Sequence, residues 1–396
     1  NMKIQAQSSR ALHAALNKSS KCVDAQAAMA ILSDALLTCD DEGRFFLTSS
    51  NGDAQLTIPV PLILCGGSFS APIVLPVKRL SSLLGTLPDC VVTMDVADNG
   101  VLTVEYCTGD GDNVKPGKVS MTYQPGNEFP KIVLPKAGDK MIINLPLPLF
   151  RSCVDAAANF VSREEFQIVL SCLCIDVAED RSEVVLVASN GHILSKAMHS
   201  NDPQRGGSDF FRSGEPRKTL IHCNFFRALS AFDGNDDINI EDDGHSIRFS
   251  SGDTEFICKH VEGIYPPYNS AIPKSNPYYV VFNKKEMLEV LKRVSLFASM
   301  SSDLVRVEKN GMFLTISASD ADFALSGEDH VCIVDSQCEE HFYIGLNASS
   351  FQTCLNAIPS GTIRMQMSAP DRAVVLTPND PAPQVLSLCM PMLLND

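Results

Sequence analysis

Fourteen cysteines and eight histidines are the residues of this 396-residue chain best suited to covalent or metal chemistry. A thiol attacks carbon or binds a metal as its thiolate, so it needs a base or a second ligand at a fixed spacing. The sequence lacks such spacing. The cysteines are scattered through apolar runs, Cys172 and Cys174 flank a single leucine, and no Cys-x-x-Cys pair occurs. Met2-Lys3-Ile4-Gln5 leads into a polar amphipathic stretch and does not read as a secretory signal, so reduced, buried thiols in a cytoplasmic protein are expected. His192 has no Cys, Asp or second His at a useful spacing. Gly109-Asp110-Gly111-Asp112 and Asp233-Gly234-Asn235-Asp236-Asp237 resemble calcium loops. Neither has the full ligand series with its closing Glu, so both read as acidic turns. There is no phosphate-binding loop of the P-loop form, no His-Glu-x-x-His and no Gly-x-Ser-x-Gly. The expectation is therefore no catalytic residues, no metal and no cofactor.

The chain is too long for one ordinary core, which predicts two or three domains. Its 45% hydrophobic and 20% charged residues are those of a globular protein. No apolar run approaches the ~18 residues of a membrane span, so no membrane partner is expected. Internal repetition organises the rest. An apolar run, a turn and a second run recur three times. They are Ile31 to Leu37 with Phe45 to Gly52, Val169 to Ile175 with Val184 to Gly191, and Leu304 to Val307 with Phe313 to Asp320. Ser-Asn-Gly, Ser-Asn-Gly and Ser-Asp-Ala stand at matching places. A short amphipathic helix and a strand follow each pair. The helices are predicted over Val77 to Leu87, Asn224 to Phe232 and Asn347 to Ile358, the strands over Val91 to Val96, Ile238 to Ile240 and Ile363 to Met367. Strands over Val119 to Tyr123 and Phe256 to His260 run into Phe129-Pro130 with Leu134-Pro135, and Tyr265-Pro266 with Ile272-Pro273. The third copy ends at Met390-Pro391-Met392-Leu393-Leu394. Each copy opens with a helix: Ser9 to Lys21, Pro148 to Phe160, and Lys284 to Ala298, the last with capping-box spacing between Asn283 and Glu286. Two helices and about eight strands per copy make an α+β fold of three repeated domains, 2–138, 139–273 and 274–396. Linkers near 136–143 and 270–280 are rich in Lys, Pro, Gly and Asn.

These landmarks, over essentially the whole chain, closely resemble the bacterial DNA polymerase III beta subunit family, the replication sliding clamps. Ala188-Ser189-Asn190-Gly191-His192 is like the family's Ala-Thr-Asp-Gly-His, Glu262-Gly263-Ile264-Tyr265-Pro266-Pro267-Tyr268 matches a family turn, and Met390-Pro391-Met392 matches the family's ending. The resemblance implies helices packed on antiparallel sheets and a head-to-tail homodimer closed into a ring. Helices line its hole and sheets form its outer wall. It implies no catalysis, sequence-independent binding of duplex DNA, and a cytoplasmic, nucleoid-associated protein. The implied partners are the DNA polymerase III alpha subunit, a clamp loader, and other polymerases and repair proteins that dock through short peptides. Their implied groove is lined by Leu170, Ser189, Gly191, His192, Leu194, Pro266, Val374, Met390, Pro391 and Met392. In the implied dimer interface Leu296 and Phe297 meet Leu83, Leu87 and Met121 of the second copy. The chain departs from the family at Ile193, where Arg is common, at Ser350, where Tyr is common, and in its ending Leu393-Leu394-Asn395-Asp396.

A net charge of −15 is the wrong sign for a protein that binds nucleic acid, so the distribution of charge must decide. The helix-forming stretches carry Arg10, Lys18, Lys21, Lys78, Arg79, Arg151, Arg163, Arg227, Lys284, Lys285, Lys292 and Arg293. The acids cluster at turns and strand ends: Asp40-Asp41-Glu42, Asp233 to Asp237, Glu241-Asp242-Asp243 and Glu339-Glu340. A basic helical face with no recognition helix or aromatic stacking platform fits contact with phosphates without base readout. Two alternatives stay open: a hydrolase or transferase assembled from a distant cysteine and histidine, and an interaction scaffold that never touches DNA.

Overall fold

The computed structural model describes residues 2–23, 29–109, 113–130, 132, 140–164, 166–205, 207–338, 342–380 and 384–394. Asp110-Gly111-Asp112, Leu134-Pro135, residues 136–139 of the first linker, Glu339-Glu340 and Asn395-Asp396 lie outside them. The chain folds as α+β, with large antiparallel sheets and six α-helices among the described residues. Contacts divide it into two units. The first holds residues 1–151, 211–215 and 224–260, the second 152–210, 216–223 and 261–396.

A helix forms at each of the six predicted places, although the fourth shrinks from the predicted Asn224 to Phe232 to a single α-helical turn after a 3₁₀ turn at Cys223–Phe225. The helices are α1 (Ser9–Ser19), α2 (Val77–Gly85), α3 (Leu147–Phe160), α4 (Phe226–Leu229), α5 (Lys284–Val294) and α6 (Ala348–Asn356). The longer ones bury a stripe at helical spacing, as Leu147, Phe150, Val154 and Ala157 do on α3. Ser8, Asn283 and Asn347 cap α1, α5 and α6, each accepting a hydrogen bond from a backbone N–H of the first turn. Two predicted strands begin differently. Ile31 to Leu37 opens as a 3₁₀ turn, Ala30–Ser33, before the strand Ala35–Cys39. Val169 to Ile175 does the same, with a turn at Ile168–Ser171 and a strand at Cys172–Val177. A short apolar run does not reveal its period, so both were legible as apolar but not as turn-then-strand. The same irregularity in two copies is itself a mark of repetition.

In the first unit a ten-stranded sheet runs without a break through two repeats. The join is the pairing of Ala54–Val60 with Thr254–Lys259, in register Glu255↔Thr57, Phe256↔Leu56 and Ile257↔Gln55. Ion pairs between Arg44 and Asp253 (3.2 Å) and between Lys259 and Asp53 flank that join. Beneath it, Phe249 stands 5.7 Å from Phe150 and 6.0 Å from Phe256, ring centre to ring centre, all three fully buried. A separate five-stranded sheet ends at the strand Lys115–Thr122, which pairs on one side with Val101–Thr108. In the second unit a twelve-stranded sheet is joined by Ile193–Ser200 pairing with Val385–Cys389, in register Ile193↔Cys389, Leu194↔Leu388 and Ser195↔Ser387. Helix α6 lies against that join, where the Ser387 hydroxyl donates to the Cys354 carbonyl at 2.8 Å. No described helix is long and apolar enough to cross a membrane.

Candidate functional site

The Ser189-Asn190-Gly191-His192 segment is a tight loop between two strands. Ser189 Oγ accepts from Gly191 N (3.1 Å) and donates to the Ile193 carbonyl (2.8 Å). Asn190 Oδ1 accepts from the backbone N–H groups of His192 and Ile193, both at 3.0 Å. Gly191 has φ +91°, a conformation that L side chains rarely adopt. Ser50-Asn51-Gly52 repeats this arrangement, with Ser50 and Asn51 in the same bonds and Gly52 at φ +92°. The motif is therefore a turn device of the repeat. What distinguishes the second copy is the side chain that follows it: His192 is exposed, and its carbonyl accepts from Met390 N at 2.9 Å.

That bond fastens the C-terminal segment beside the loop, and Met392 N then donates to the Gly345 carbonyl (2.8 Å). A Cβ on Gly345 would lie 2.6 Å from Met392 O, so the tail can lie there because residue 345 has no side chain. Met390 is 41% exposed, and Pro391 and Met392 are half-buried. Register sorts the neighbouring strands by face, because cross-strand partners share a side of the sheet. Leu194, Leu388 and Val375 are aligned on one face, in a cluster with Tyr265, Tyr268, Cys172, Cys174 and Val187 and with Val169 packed on its margin. Ile193, Cys389 and Val374 are aligned on the other face, toward α6. Val374 is thus fully buried and turned away from Leu194, and Val375 takes the position on the Leu194 face. Leu170 sits in the Ile168–Ser171 turn, where its carbonyl accepts from Ser162 N at 2.8 Å, and Pro266 is exposed beside Tyr265.

His192 also lines a cavity of about 560 Å³ with Asn159, Arg163, Glu164, Gln167, Asn190 and Thr353 among its walls. Two residues assigned separate roles by the sequence, Arg163 and His192, therefore share one hollow. Around this region stand apolar side chains that sequence reasoning missed: Phe166 (79% exposed), Ile168 (54%) and Ile264 (92%). Their signal was present as large apolar residues in loop-like stretches, but exposure is a tertiary fact.

The basic residues divide by what they touch. In the first unit Arg10, Lys78, Arg79, Arg151 and Arg227 are exposed. Lys21 is half-buried, and its Nζ donates to Ser230 O (2.9 Å) and Ser230 Oγ (3.0 Å). Burial, and then the nearby charge of Lys18, push the Lys21 ammonium below its usual pKa. Arg151 and Arg227 act in the same direction and Asp233 in the opposite one. The Lys21–Ser230 bonds and an ion pair between Lys18 and Asp233 bring the ends of α1 and α4 together. In the second unit Lys284 Nζ donates to the Ile358 carbonyl at the end of α6 (2.8 Å), and Arg293 pairs with Asp329 (2.7 Å). Lys285 lies 4.0 Å from Glu289, and Lys292 and Arg163 are exposed. Helical position predicted exposure for most of these cations, but not that Lys21, Lys284 and Arg293 are already hydrogen-bonded or paired.

The proposed interface residues occupy two surfaces. Leu83, Leu87 and Met121 are half-buried, Met121 on the edge strand Lys115–Thr122. Leu296 is 75% and Phe297 38% exposed in the turn that follows α5. Phe297 covers Gly327, where an added Cβ would lie 2.7 Å from the ring. Gly327 belongs to the strand Leu325–Gln337, whose first half pairs on one side with Phe313–Asp320.

Nucleophilic chemistry finds no support in the buried thiols. Burial pushes Cys22 and Cys172 up to about 12 and raises Cys174, Cys258 and Cys354 as well. A catalytic thiol needs the reverse shift. Among the described residues no group of three His, Cys, Asp or Glu is placed to hold a metal ion.

Residues 269–393 match the family model for the DNA polymerase III beta subunit, C-terminal domain. The chain is 24% identical to the beta sliding clamp of Synechocystis sp. over 387 residues, covering 93% of each. It is 23% identical to the beta sliding clamp of Bacillus subtilis over 388 residues, 94% of each. Among solved structures, the Pseudomonas aeruginosa sliding clamp bound to griselimycin superimposes with a TM-score of 0.84 at 18% identity, over 99% of this chain and 100% of that one. The DNA polymerase III beta subunit of Thermotoga maritima gives a TM-score of 0.80 at 21% identity, over all of both chains.

The buried thiols set a testable pH dependence. At pH 8 a group with a pKa of about 12 is ionised in roughly one molecule in 10⁴. A disulfide reagent is therefore expected to modify the exposed Cys65, Cys107 and Cys332 in the native protein and to spare Cys22 and Cys172. Their folded pKa lies above the unfolded value near 9, so their contribution to stability is complete below pH 9. It is lost as the pH rises from there toward 12. Peptide mapping after labelling, and urea midpoints across that range, check both statements. Fast native labelling of Cys172 would contradict them.

Proposed function

We propose that this chain, which belongs to the bacterial DNA polymerase III beta subunit family, acts as a DNA sliding clamp. It encircles duplex DNA and tethers a polymerase as a processivity factor, with no catalysis of its own. The observation that carries this reading is the meeting of the ends of α1 and α4, where Lys21 bonds to Ser230 and Lys18 pairs with Asp233, which brings the basic side chains of the two helices together in a chain of net charge −15. Local basic character on an acidic protein attracts a phosphate backbone to one surface and repels it from the rest. We take 2–138, 139–273 and 274–396 as the three repeated domains. On this reading the protein works in the cytoplasm, with the nucleoid.

Ring closure follows from two open strand edges. Among the described residues the outer side of Lys115–Thr122 and the first half of Leu325–Gln337 have no neighbouring strand, and such edges favour pairing with another chain, with His330 N and Cys332 N of the second held by the Asp329 and Glu286 side chains. Their apolar neighbours, Leu83, Leu87 and Met121 on one and Leu296 and Phe297 on the other, supply the burial that would stabilise a head-to-tail dimer.

The partner groove is the Leu194 face with Leu170, Pro266, Met390, Pro391 and Met392 around it, Ser189, Gly191 and His192 at its end, and Val375 in place of Val374. Flexible methionines suit a surface that takes several peptides. The peptides expected there carry a Gln and a few large apolar residues. They belong to the polymerase III alpha subunit, the clamp loader, and other polymerases and repair proteins.

Two experiments test the reading. Protein loaded on nicked circular DNA is expected to survive high salt and to be released when the circle is linearised. Equal retention on circular and linear DNA would rule out encirclement. For the groove, Met392→Ala combined with His192→Ala is expected to abolish binding of a polymerase-derived peptide with little change in melting temperature. Each buried apolar peptide side chain contributes roughly 1.5–3 kcal/mol before ordering costs, so the loss is easily measured. Unchanged peptide affinity would remove the groove from the account.

A further inference from the structure

We propose that Asp233 is an electrostatic brake on the basic cluster of the first unit: it engages Lys18 and limits how tightly this chain grips duplex DNA. The inference rests on the DNA-encircling reading and adds to it a residue that weakens the contact. Asp233 stands just beyond α4, and Lys18 lies in the last turn of α1. The carboxylate of Asp233 forms an ion pair with Lys18 Nζ, with the two side chains 60% and 34% exposed. Both reach solvent, so a passing phosphate can compete with Asp233 for the same ammonium.

The surroundings show why this one acid matters. Lys21 is committed to Ser230 through two hydrogen bonds, which fix the segment after α1 to the end of α4. Arg151 and Arg227 are exposed and, with Lys18, near enough to disfavour the charge on Lys21, while Asp233 favours it. Of the charges that act on Lys21, only Asp233 is negative. With Lys21 held, the cations available to phosphate are Lys18, Arg151 and Arg227, and Asp233 occupies the first of them. A lysine neutralised by its own carboxylate releases no counterion from DNA on binding, so it adds nothing to affinity or to its salt dependence. An exposed ion pair contributes little to stability, so it can open and re-form as phosphates move past. A ring that must slide needs a grip of that weak, exchangeable kind.

The test is equilibrium binding of a short duplex to the full-length protein over a salt series, for wild type and four variants. Asp233→Asn is expected to bind about three- to fivefold more tightly, which corresponds to freeing one exposed pair. Its plot of log affinity against log salt is expected to steepen by about 1, the contribution of one more cation. Adding Lys18→Ala to Asp233→Asn should return both values to wild type, and Lys18→Ala alone should change little. Asp236→Asn, an exposed acid three residues away, controls for net charge and should change neither value. Wild-type affinity and slope in Asp233→Asn would overturn the proposal, as would an equal gain from Asp236→Asn. Absence of any salt-dependent binding by wild type would instead overturn the DNA reading on which it rests. Asp233 is exposed, and matching melting temperatures confirm that the variants fold.

Discussion

An unpaired strand edge is a row of donors and acceptors that must find partners, and this fold is organised by how it meets that demand. In the first unit the outer side of Ala54–Val60 is satisfied by Thr254–Lys259, a strand from a different repeat. In the second unit Ile193–Ser200 is satisfied by Val385–Cys389, again across repeats. A repeat is therefore not the unit of compactness. Its sheet is completed by its neighbour, which explains why three copies in sequence give two units in contacts. The same demand extends to Lys115–Thr122 and the start of Leu325–Gln337. Pairing between copies would answer it without new chemistry, because backbone hydrogen bonds and flanking leucines suffice.

The join in the second unit also creates the candidate groove. Because Val385–Cys389 is a strand, the residues after it leave the sheet beside the Ser189–His192 loop. The Met390–His192 hydrogen bond then fixes that exit. One face of the join is closed by α6, and the other carries Leu194, Leu388 and Val375 under Tyr265 and Tyr268. The apolar tail residues are thus ordered by backbone bonds to Gly345 and His192 while their side chains stay partly exposed, as a receptor surface requires.

Much of this was legible in the sequence, and the failures have physical causes. The helices were legible because apolar spacing and caps such as Asn283 act locally. The repeat was legible because Ser50-Asn51-Gly52 and Ser189-Asn190-Gly191 encode the same turn. Val374 was assigned to the groove, yet strand parity turns it away, and parity depends on register with Cys389. Runs such as Ile31 to Leu37 hid a 3₁₀ turn because hydrophobicity does not distinguish turn from strand over so few residues. Counting cations on helices found the basic cluster but not the commitment of Lys21 to Ser230 or of Lys284 to Ile358, since partners distant in sequence leave no local trace.

The central claim is that two copies close through their open edges into a ring around a hole wide enough for duplex DNA. Projection imaging of the purified full-length protein tests this most directly, with sedimentation on the same sample giving the number of chains. The account predicts closed rings of two chains with a clear central opening. Solid particles, or single chains with both edges free at micromolar concentration, would contradict it.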